Sequence, residues 1–283
     1  MKLIINILLF LLITYSSILA QSAEELNKKG MEAYNHGRYE EAMKYFDMAI
    51  EKDPTSADLW FNKGNVYYKI GITYEKTADF EEALKCYNKA LNYKPDNDNI
   101  LANKGCALAQ INKNEEALKY CNKALKINPG NANGWRGKGI VLLNQNNFEG
   151  AINCFDKALE INPELAWAFY GKGVVLYNQG KEEEALECYD KALDIDQDFL
   201  QPLNNKGFIL LKSGKYEEAL LCFDRCLKID PSCAKLWSNR GASLYGLGRY
   251  DEALLSFDRA LEIDPYNEKA HKGMEIILNG PGE

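Results

Sequence analysis

Histidine is almost missing from this chain, which has 2 histidines among its 283 residues. His36 and His271 lie far apart, and histidines and cysteines are not grouped at the short spacings of a metal site. No serine, histidine and acid set is arranged as in a hydrolase. These absences predict that the protein is not an enzyme, and that it has no catalytic residues, no metal site and no cofactor.

A glycine-rich phosphate loop is also missing, although Gly130–Leu142, which reads GNANGWRGKGIVL, resembles one. Such a loop needs glycine, four further residues, then glycine, lysine and a serine or threonine, so that N–H groups and the lysine meet the phosphate. Ala132 stands at the first glycine position and Gly139 replaces the hydroxyl residue. These glycines therefore need a structural explanation.

An excess of basic residues is missing as well. Lysine and arginine number 34 against 41 aspartates and glutamates, and the charges are spread along the chain. A protein that binds nucleic acid usually gathers positive charge on one surface. Nucleic acid is therefore not expected as a partner.

A long apolar run begins near the N-terminus, from Leu3 to Ile13, after the single charge of Lys2. This order of a charged, an apolar and then a polar zone is typical of a secretory signal. We expect residues 1–20 to be a signal peptide that is cleaved after Ala20, so that the protein is exported. The alternative is that the segment stays as an N-terminal membrane anchor, which would be the only contact with a membrane.

A repeat with a period of 34 residues organises the rest of the chain. The repeat glycines are spaced by 34, with a single spacing of 41, and are Gly30, Gly64, Gly105, Gly139, Gly173, Gly207 and Gly241. The repeat alanines keep the same steps and are Ala42, Ala83, Ala117, Ala151, Ala185, Ala219 and Ala253. A fixed period of this length indicates stacked copies of one supersecondary unit.

Each copy contains two helices according to the spacing of its apolar residues. A large apolar residue precedes the repeat glycine by four positions and another usually follows it by three, so both lie on one face of a helix. After the repeat alanine, an aromatic residue four positions on and an alanine seven positions on form a second such face. Turns rich in glycine, asparagine or lysine separate the helices, and a proline closes the copy.

This pattern resembles the tetratricopeptide repeat (TPR), in which W-x2-L-G-x2-Y, A-x3-F, A and P recur, as in WRGKGIVLLNQNNFEGAINCFDKALEINP. The resemblance extends from Ala23 to the end of the chain. Departures are Gln197 for proline, Cys121 for the aromatic residue, Cys226 for alanine and Ala33 in the first copy. The resemblance implies an all-α fold, a right-handed TPR superhelix (α-solenoid) of antiparallel helix pairs with a C-terminal capping helix.

We predict seven repeats and a capping segment. Their ranges are repeat 1, 23–56; repeat 2, 57–97; repeat 3, 98–131; repeat 4, 132–165; repeat 5, 166–199; repeat 6, 200–233; repeat 7, 234–267; capping helix and tail, 268–283. Repeat 2 carries a seven-residue insertion that duplicates the heptad beginning at Gly64 as one beginning at Gly71, and seven residues are close to two helical turns. Either the hairpin is only elongated, or its tip contacts a partner.

A basic residue precedes every repeat glycine. These residues are Lys29, Lys63, Lys104, Lys138, Lys172, Lys206 and Arg240. The position lies at the margin of the core, where the stem can cover apolar surface while the charge reaches water or a nearby aspartate. The alternative is a shared anion-binding row.

Eight cysteines in an exported chain would ordinarily suggest disulfides. Four of them share one repeat position, three after the repeat alanine, and are Cys86, Cys154, Cys188 and Cys222. Packed helices lie about 8 to 10 Å apart, whereas a disulfide needs Cα atoms within about 7 Å. We interpret these cysteines as small buried hydrophobic residues. A local cluster of Cys222, Cys226 and Cys233 is the alternative, as a disulfide or metal site.

The resemblance places function in a concave groove lined by the first helix of each repeat. On a helical wheel, the residue two before each repeat glycine lies opposite the core. These residues are Asn62, Asn103, Gly137, Gly171, Asn205 and Asn239. An asparagine carries a donor and an acceptor, so a row of them can pair with a peptide backbone, and the two glycines are expected to leave room for a partner.

Apolar side chains are expected to line the centre of this groove. They are Ile140, Leu143, Trp167, Tyr170, Val174, Tyr177, Phe208 and Leu211. We predict that an extended or helical partner segment places an apolar residue there, and that Trp167 contributes most to its binding. The alternative is that these side chains pack against neighbouring helices.

The sequence therefore predicts a monomeric, non-enzymatic scaffold that binds a protein or peptide partner in its groove. An accessory or substrate-recruiting subunit of an enzyme complex, or a self-associating structural element, is the alternative. The lysine and asparagine clamp with which other TPR proteins hold a C-terminal carboxylate is not reproduced, so binding to chaperone tails is not predicted.

Overall fold

The computed structural model describes residues 21–74 and 76–279, and the predicted signal or anchor segment, residues 1–20, lies outside this part of the chain. The described residues form fifteen helices and no strands. They are α1 (Ala23–Asn35), α2 (Tyr39–Lys52), α3 (Ala57–Thr73), α4 (Thr77–Tyr93), α5 (Asp98–Gln110), α6 (Asn114–Ile127), α7 (Ala132–Asn144), α8 (Phe148–Ile161), α9 (Ala166–Asn178), α10 (Glu182–Ile195), α11 (Leu200–Lys212), α12 (Tyr216–Ile229), α13 (Ala234–Gly246), α14 (Tyr250–Ile263) and α15 (Glu268–Asn279). Across the two described ranges, none of these helices has the length and hydrophobicity needed to cross a membrane.

Consecutive helices pack as antiparallel pairs, so the predicted all-α fold of helix pairs is confirmed. The described residues divide after Gly137 into two compact units. The first unit holds α1–α6 and the start of α7. The second unit holds the rest of α7 and α8–α15. Each of them builds its core from the same repeat positions.

The turn inside most helix pairs is fixed by one residue with a left-handed backbone, seven positions after the repeat glycine. Glycine adopts this conformation without strain, and asparagine tolerates it better than most other residues. The residues and their φ angles are Gly37 (70°), Asn112 (59°), Asn146 (58°), Gly180 (77°), Gly214 (75°) and Gly248 (73°). The turn position therefore follows from the sequence in six of the seven repeats.

Repeat 2 differs because its residue at this position, Gly71, stays inside a helix. As a result α3 and α4 have 17 residues each, whereas α1 and α2 have 13 and 14. A Cβ at Gly71 would lie 3.2 Å from the ring of Phe80, just as Gly64 lies against Tyr87 one heptad away. The duplicated heptad thus lengthens both helices and keeps their apolar faces in phase.

The repeat glycine lets the two helices of a pair approach closely. A Cβ at any of the seven glycines would lie less than 3.0 Å from the side chain four after the repeat alanine. The pairs are Gly30–Phe46, Gly64–Tyr87, Gly105–Cys121, Gly139–Phe155, Gly173–Tyr189, Gly207–Phe223 and Gly241–Phe257. The six rings are buried, and each stabilises the fold by about 1.5–3 kcal/mol. This contact explains Gly139 in the stretch that resembles a phosphate loop.

Basic residues before the repeat glycine reach back to the preceding repeat. Lys63 Nζ lies 2.5 Å from Asp47 Oδ1 in the first unit. In the second unit Lys172 pairs with Asp156, Lys206 with Asp190, and Arg240 with Asp224. The expectation that these charges reach a nearby aspartate is confirmed for these four residues.

The cysteines behave as small core residues, as predicted. Seven of the eight are buried, Cys233 is half-buried, and none forms a disulfide in the part of the chain that the structure describes. Burial raises the pKa of Cys86 to about 11 and that of Cys226 to about 12. No group of three or more histidine, cysteine or acidic side chains is placed to hold a metal ion within the described residues.

Candidate functional site

The asparagine row of the first unit makes hydrogen bonds within the fold. The half-buried Asn62 donates from Nδ2 to Asn27 Oδ1 at 2.9 Å. Asn103 is also half-buried and donates from Nδ2 to Asn65 Oδ1 at 2.9 Å. The amide donors that we expected to face a peptide backbone therefore already have partners.

In the second unit the row is engaged in the same way. Asn205 Nδ2 donates to Tyr189 Oη at 3.4 Å. Asn239 is 3% exposed, and its Oδ1 accepts from Lys269 Nζ at 2.7 Å. The expectation that Asn239 lines an open groove is therefore wrong, because its side chain is buried.

The two glycines of the row leave no room for a partner, contrary to expectation. A Cβ at Gly137 would lie 2.5 Å from Cys121 Sγ, and one at Gly171 would lie 2.5 Å from the Phe155 ring. Cys121 and Phe155 belong to the second helix of the preceding repeat. A helical wheel drawn for one hairpin shows only its own core face, so it cannot reveal this second contact.

Trp167 and Tyr170 belong to an aromatic cluster within the second unit. The ring centre of Trp167 lies 4.2 Å from that of Phe199, which is 1% exposed, and 6.0 Å from that of Tyr170. Tyr170 lies 5.5 Å from Phe199 and 6.1 Å from Tyr189. Packing against neighbouring helices, the alternative stated above, therefore describes these two side chains, which are half-buried like Ile140.

In the first unit, a side chain of α7 lies along the surface formed by the first helices of the repeats. Arg136 of α7 is 4% exposed. Its Nη1 donates to Tyr68 Oη in α3 at 2.9 Å, and its Nε donates to Asn133 Oδ1 at 3.1 Å. This side chain spans from repeat 4 to repeat 2 and covers the face between them.

The second unit instead keeps an accessible apolar face, which we call the first-helix strip. It consists of the residues one and four after each repeat glycine on α9, α11 and α13, together with Ile276 of α15. Its members are Val174, Tyr177, Phe208, Leu211, Ala242, Tyr245 and Ile276. Phe208 is 38% exposed and Tyr245 is 36% exposed, and the other five are half-buried.

Lys212 connects two helices of this strip. Its Nζ lies 5.8 Å from the ring centres of both Tyr177 on α9 and Phe208 on α11. The two rings are therefore neighbours, and a cation lies over both of them. Lys212 Nζ also lies 3.6 Å from Glu182 Oε1, so a partner that covers this part of the strip would meet two aromatic rings beside an ion pair.

Sequence reasoning named Val174, Tyr177, Phe208 and Leu211 but missed the continuation of the strip on α13 and α15. The signal was present, because Ala242 and Tyr245 stand at the same repeat positions as Phe208 and Leu211. The pattern of large apolar residues did not extend to α13 because Ala242 is small, and it did not extend to α15 because this helix has no repeat glycine from which to count.

Profiles of the tetratricopeptide repeat match most of the described chain. The matched residues are 30–71, 64–97, 99–131, 139–180, 166–199, 188–220 and 206–268. The chain belongs to the tetratricopeptide repeat family. The matched residues lie in both units, so each unit consists of TPR repeats.

Among curated proteins, the chain is similar to the Hsp70-Hsp90 organising protein of Plasmodium falciparum, at 34% identity over 98 residues. That match covers 34% of this chain and 36% of the relative, so the chain matches about a third of its length.

Two solved structures share the TPR fold. One is YrrB, described as a TPR protein with an unusual peptide-binding site, with a TM-score of 0.51 and 25% identity over 67% of this chain and 97% of that one. The other is the APC/C hetero-tetramer Cut9-Hcn1, with a TM-score of 0.69 and 17% identity over 90% of this chain and 49% of that one.

Proposed function

We propose that this TPR protein is a non-enzymatic, monomeric protein-interaction scaffold whose first-helix strip binds a peptide or helical segment of a partner protein. The observation that carries the proposal is the exposure of Phe208 and Tyr245 within one apolar strip of the second unit. Large aromatic side chains at a surface are the residues that most often contribute strongly to protein binding. Each is rigid and has a large apolar area that a partner can cover.

The known proteins that resemble this chain support the proposal. YrrB is a TPR protein with a peptide-binding site, and the Plasmodium relative is named for organising two heat-shock proteins. The asparagines of the row support the strip from within, since Asn205 holds Tyr189 beneath it.

The proposal is tested by selecting a phage-displayed library of random twelve-residue peptides on the full chain. Peptides that bind the wild type are then measured against the variants Phe208→Ser and Tyr177→Ser. We expect at least a tenfold loss of affinity, since truncating an aromatic contact of this kind costs about 2 kcal/mol or more. Trp167→Ala is less suitable, because Trp167 packs on the buried Phe199 and its loss would weaken the fold.

Leu221→Ser and Leu255→Ser are matched controls, because these leucines are 65% and 69% exposed on second helices, outside the strip. They should leave peptide affinity unchanged. If the strip variants and these controls lower affinity equally, or if no peptide is enriched on the wild type, the proposed binding strip is wrong.

We also propose that the protein is exported. The support is the order of charged, apolar and polar zones in residues 1–20. N-terminal sequencing of the protein recovered from its native source should begin at Gln21. An N-terminus at Met1 in a membrane fraction would indicate the anchor instead.

A further inference from the structure

The C-terminal end of the first-helix strip contains a pocket. It lies within the second unit between α13, α14 and α15, and it has a volume of about 190 Å³. Its apolar wall is formed by Ala242, Tyr245, Phe257, Gly273 and Ile276. One water molecule takes about 30 Å³ of liquid volume, so the pocket is several times larger than a water molecule. It has enough space for one large aliphatic side chain.

The pocket exists because of two small residues. Ala242 stands at the repeat position that Val174 and Phe208 occupy in the two preceding repeats, so no larger side chain fills the space. Gly273 lies directly on the Phe257 ring, where an added Cβ would overlap the ring atoms. The backbone of α15 therefore packs directly on the Phe257 ring, which is 1% exposed and forms part of the pocket wall.

The rim of this pocket is positively charged. Lys269 and Lys272 of α15 line it. The pKa of Lys269 is lowered, first because its ammonium group is partly buried and second because the positive charge of Lys235 on α13 is close to it. Lys269 Nζ donates to Asn239 Oδ1 at 2.7 Å. The Asn239 amide holds that ammonium group in place beside the pocket.

These three lysines differ from the basic residues of the repeat pattern. Lys172, Lys206 and Arg240 each face an aspartate of the preceding repeat. In the part of the chain that the structure describes, Lys235, Lys269 and Lys272 form no ion pair with a carboxylate. These three lysines therefore have no direct carboxylate partner among the described residues, and they favour a negatively charged partner.

The corresponding positions in repeats 5 and 6 carry no such charge. Lys235 stands six before the repeat glycine of repeat 7, and Lys269 stands 34 residues later, at the equivalent position of α15. In repeats 5 and 6 this position is occupied by Trp167 and Gln201. Tyr170 and Asn204 stand at the position of Lys272. The edge of the strip thus changes from aromatic to basic toward α15, which gives the strip a direction.

We infer that this pocket receives a large aliphatic side chain from a partner segment in which aspartate or glutamate residues flank that side chain. The inference rests on the proposed function and adds the chemical class of the partner. The aliphatic side chain fills the space above Phe257 and Gly273, and the flanking carboxylates meet Lys235, Lys269 and Lys272. The acidic side chains lie within the segment, so a free C-terminus is not required.

Peptides enriched from the random library on the wild type are selected a second time on Ala242→Phe. This variant fills the pocket with the side chain that repeat 6 carries at the same position in Phe208, so the fold should tolerate it. We expect the peptides that are lost on Ala242→Phe to contain leucine, isoleucine or methionine with aspartate or glutamate within a few residues.

The best of these peptides is then synthesised with an acetylated N-terminus and an amidated C-terminus. The double variant Lys269→Glu, Lys272→Glu should lower its affinity at least tenfold. Lys89→Glu, Lys119→Glu is the matched control, because it changes the net charge equally on exposed positions of α4 and α6. A peptide with lysine in place of each acidic residue should regain affinity for the Lys269→Glu, Lys272→Glu variant.

The inference is overturned if the enriched peptides lack acidic residues, if they bind Ala242→Phe as well as the wild type, or if both double variants lower affinity equally. Peptides that depend on Phe208 but not on Ala242 or the lysines would leave the proposed function standing and remove only the pocket. Failure to enrich any peptide on the wild type would remove both.

Discussion

At the scale of single residues, small side chains decide how close the helices of this protein lie. In six of the seven repeats, the glycine at the repeat position places the backbone of the first helix directly on a buried ring of the second helix, and in repeat 3 Gly105 lies on Cys121. The same residue type two positions earlier, at Gly137 and Gly171, places it on the preceding repeat. Any added carbon atom at these contacts must displace a side chain that is itself tightly packed.

The two glycines of α3 provide a direct comparison. A Cβ at Gly64 would lie 2.6 Å from the Tyr87 ring, which is fully buried and donates from Oη to Asn65. Gly64→Ala should therefore lower the free energy of unfolding by about 1–3 kcal/mol. Gly71→Ala meets Phe80 at 3.2 Å and gains helix propensity, so its change should stay within about 1 kcal/mol.

Urea unfolding followed by circular dichroism measures both variants. Equal destabilisation by Gly64→Ala and Gly71→Ala would contradict the close contact that we assign to Gly64 and Tyr87.

Buried thiols make the protein sensitive to alkaline pH. Burial raises the pKa of Cys226 to about 12, whereas a thiol in the unfolded chain has a pKa of about 8.5. Between pH 8.5 and 12 the Cys226 thiol loses its proton in the unfolded chain but keeps it in the folded protein. The free energy of unfolding therefore falls as pH rises through this range. Between pH 8.5 and 10 this single residue should contribute a loss of roughly 1.6 kcal/mol.

Cys226→Ala removes the thiol and introduces the alanine that all six other repeats carry at this position. Denaturant unfolding at pH 8.5 and pH 10 should show a smaller decline for this variant than for the wild type. Cys233→Ala, at a half-buried position, is the comparison variant. A decline in Cys226→Ala as large as that of the wild type would show that this thiol is not responsible.

At the scale of the helix pair, repeat 2 shows how an insertion is tolerated. Seven residues are close to two helical turns, so the extra residues continue the apolar face instead of rotating it. The extra turn also has its own contacts, since Ile72 is 7% exposed and a Cβ at Gly71 would lie 3.2 Å from the Phe80 ring.

Deletion of residues 72–78 should therefore convert repeat 2 into a repeat of ordinary length. The helices should remain formed, because Gly71 then stands seven after Gly64, where the other repeats have a glycine or asparagine with a left-handed backbone. The midpoint of thermal unfolding should fall by several degrees, since burial of Ile72 and its neighbours stabilises the fold by about 1.5–3 kcal/mol. Far-ultraviolet circular dichroism of the deletion variant during heating measures both effects.

An out-of-phase deletion of residues 71–74 is the control for this experiment. It should lower stability far more, because four residues rotate the following helix face by about 40° from its original direction. If both deletions unfold the protein equally, the phase argument is wrong.

At the scale of the whole molecule, stability passes from each repeat to its neighbours. A helix pair cannot bury its apolar face alone, so the last pair needs α15 as a cover. Ala270 of α15 is fully buried, and Gly273 lies on the Phe257 ring of α14. The end of the chain is therefore part of the core of repeat 7.

A chain that ends at Tyr266 should remain folded in its first unit but lose protection at its C-terminal end. We expect the backbone amides of α13 and α14 to exchange hydrogen faster by at least tenfold, while those of α1–α6 keep their rates. Hydrogen exchange followed by mass spectrometry measures this gradient. Glu275→Ala, at an exposed position of α15, is the control and should change nothing.

Faster exchange along the whole chain would mean that the repeats unfold as one cooperative unit. In that case stability would not be a sum of local contacts between neighbours, as we infer from the repeat architecture.

The sequence alone determined the repeat, the helices and most of the core. The periods of the repeat glycine and repeat alanine are enough to place Gly139 against Phe155, because helix geometry brings residues at such spacings to one face. They also predicted that the cysteines are buried, and the expected contact with an aspartate is present for four of the basic residues before the repeat glycine. These features depend on contacts within one repeat or on a regular step to the next.

Tertiary structure decided which surface remains open. Asn239 and Gly171 lie opposite the core of their own hairpin, yet the preceding repeat covers Gly171 and the side chain of Asn239 is buried. Arg136 reaches across two repeats and donates a hydrogen bond to Tyr68 within the first unit, whereas Ala242 leaves a pocket above Phe257. A local sequence pattern cannot give these outcomes, because each depends on side chains that meet only after separate repeats have stacked.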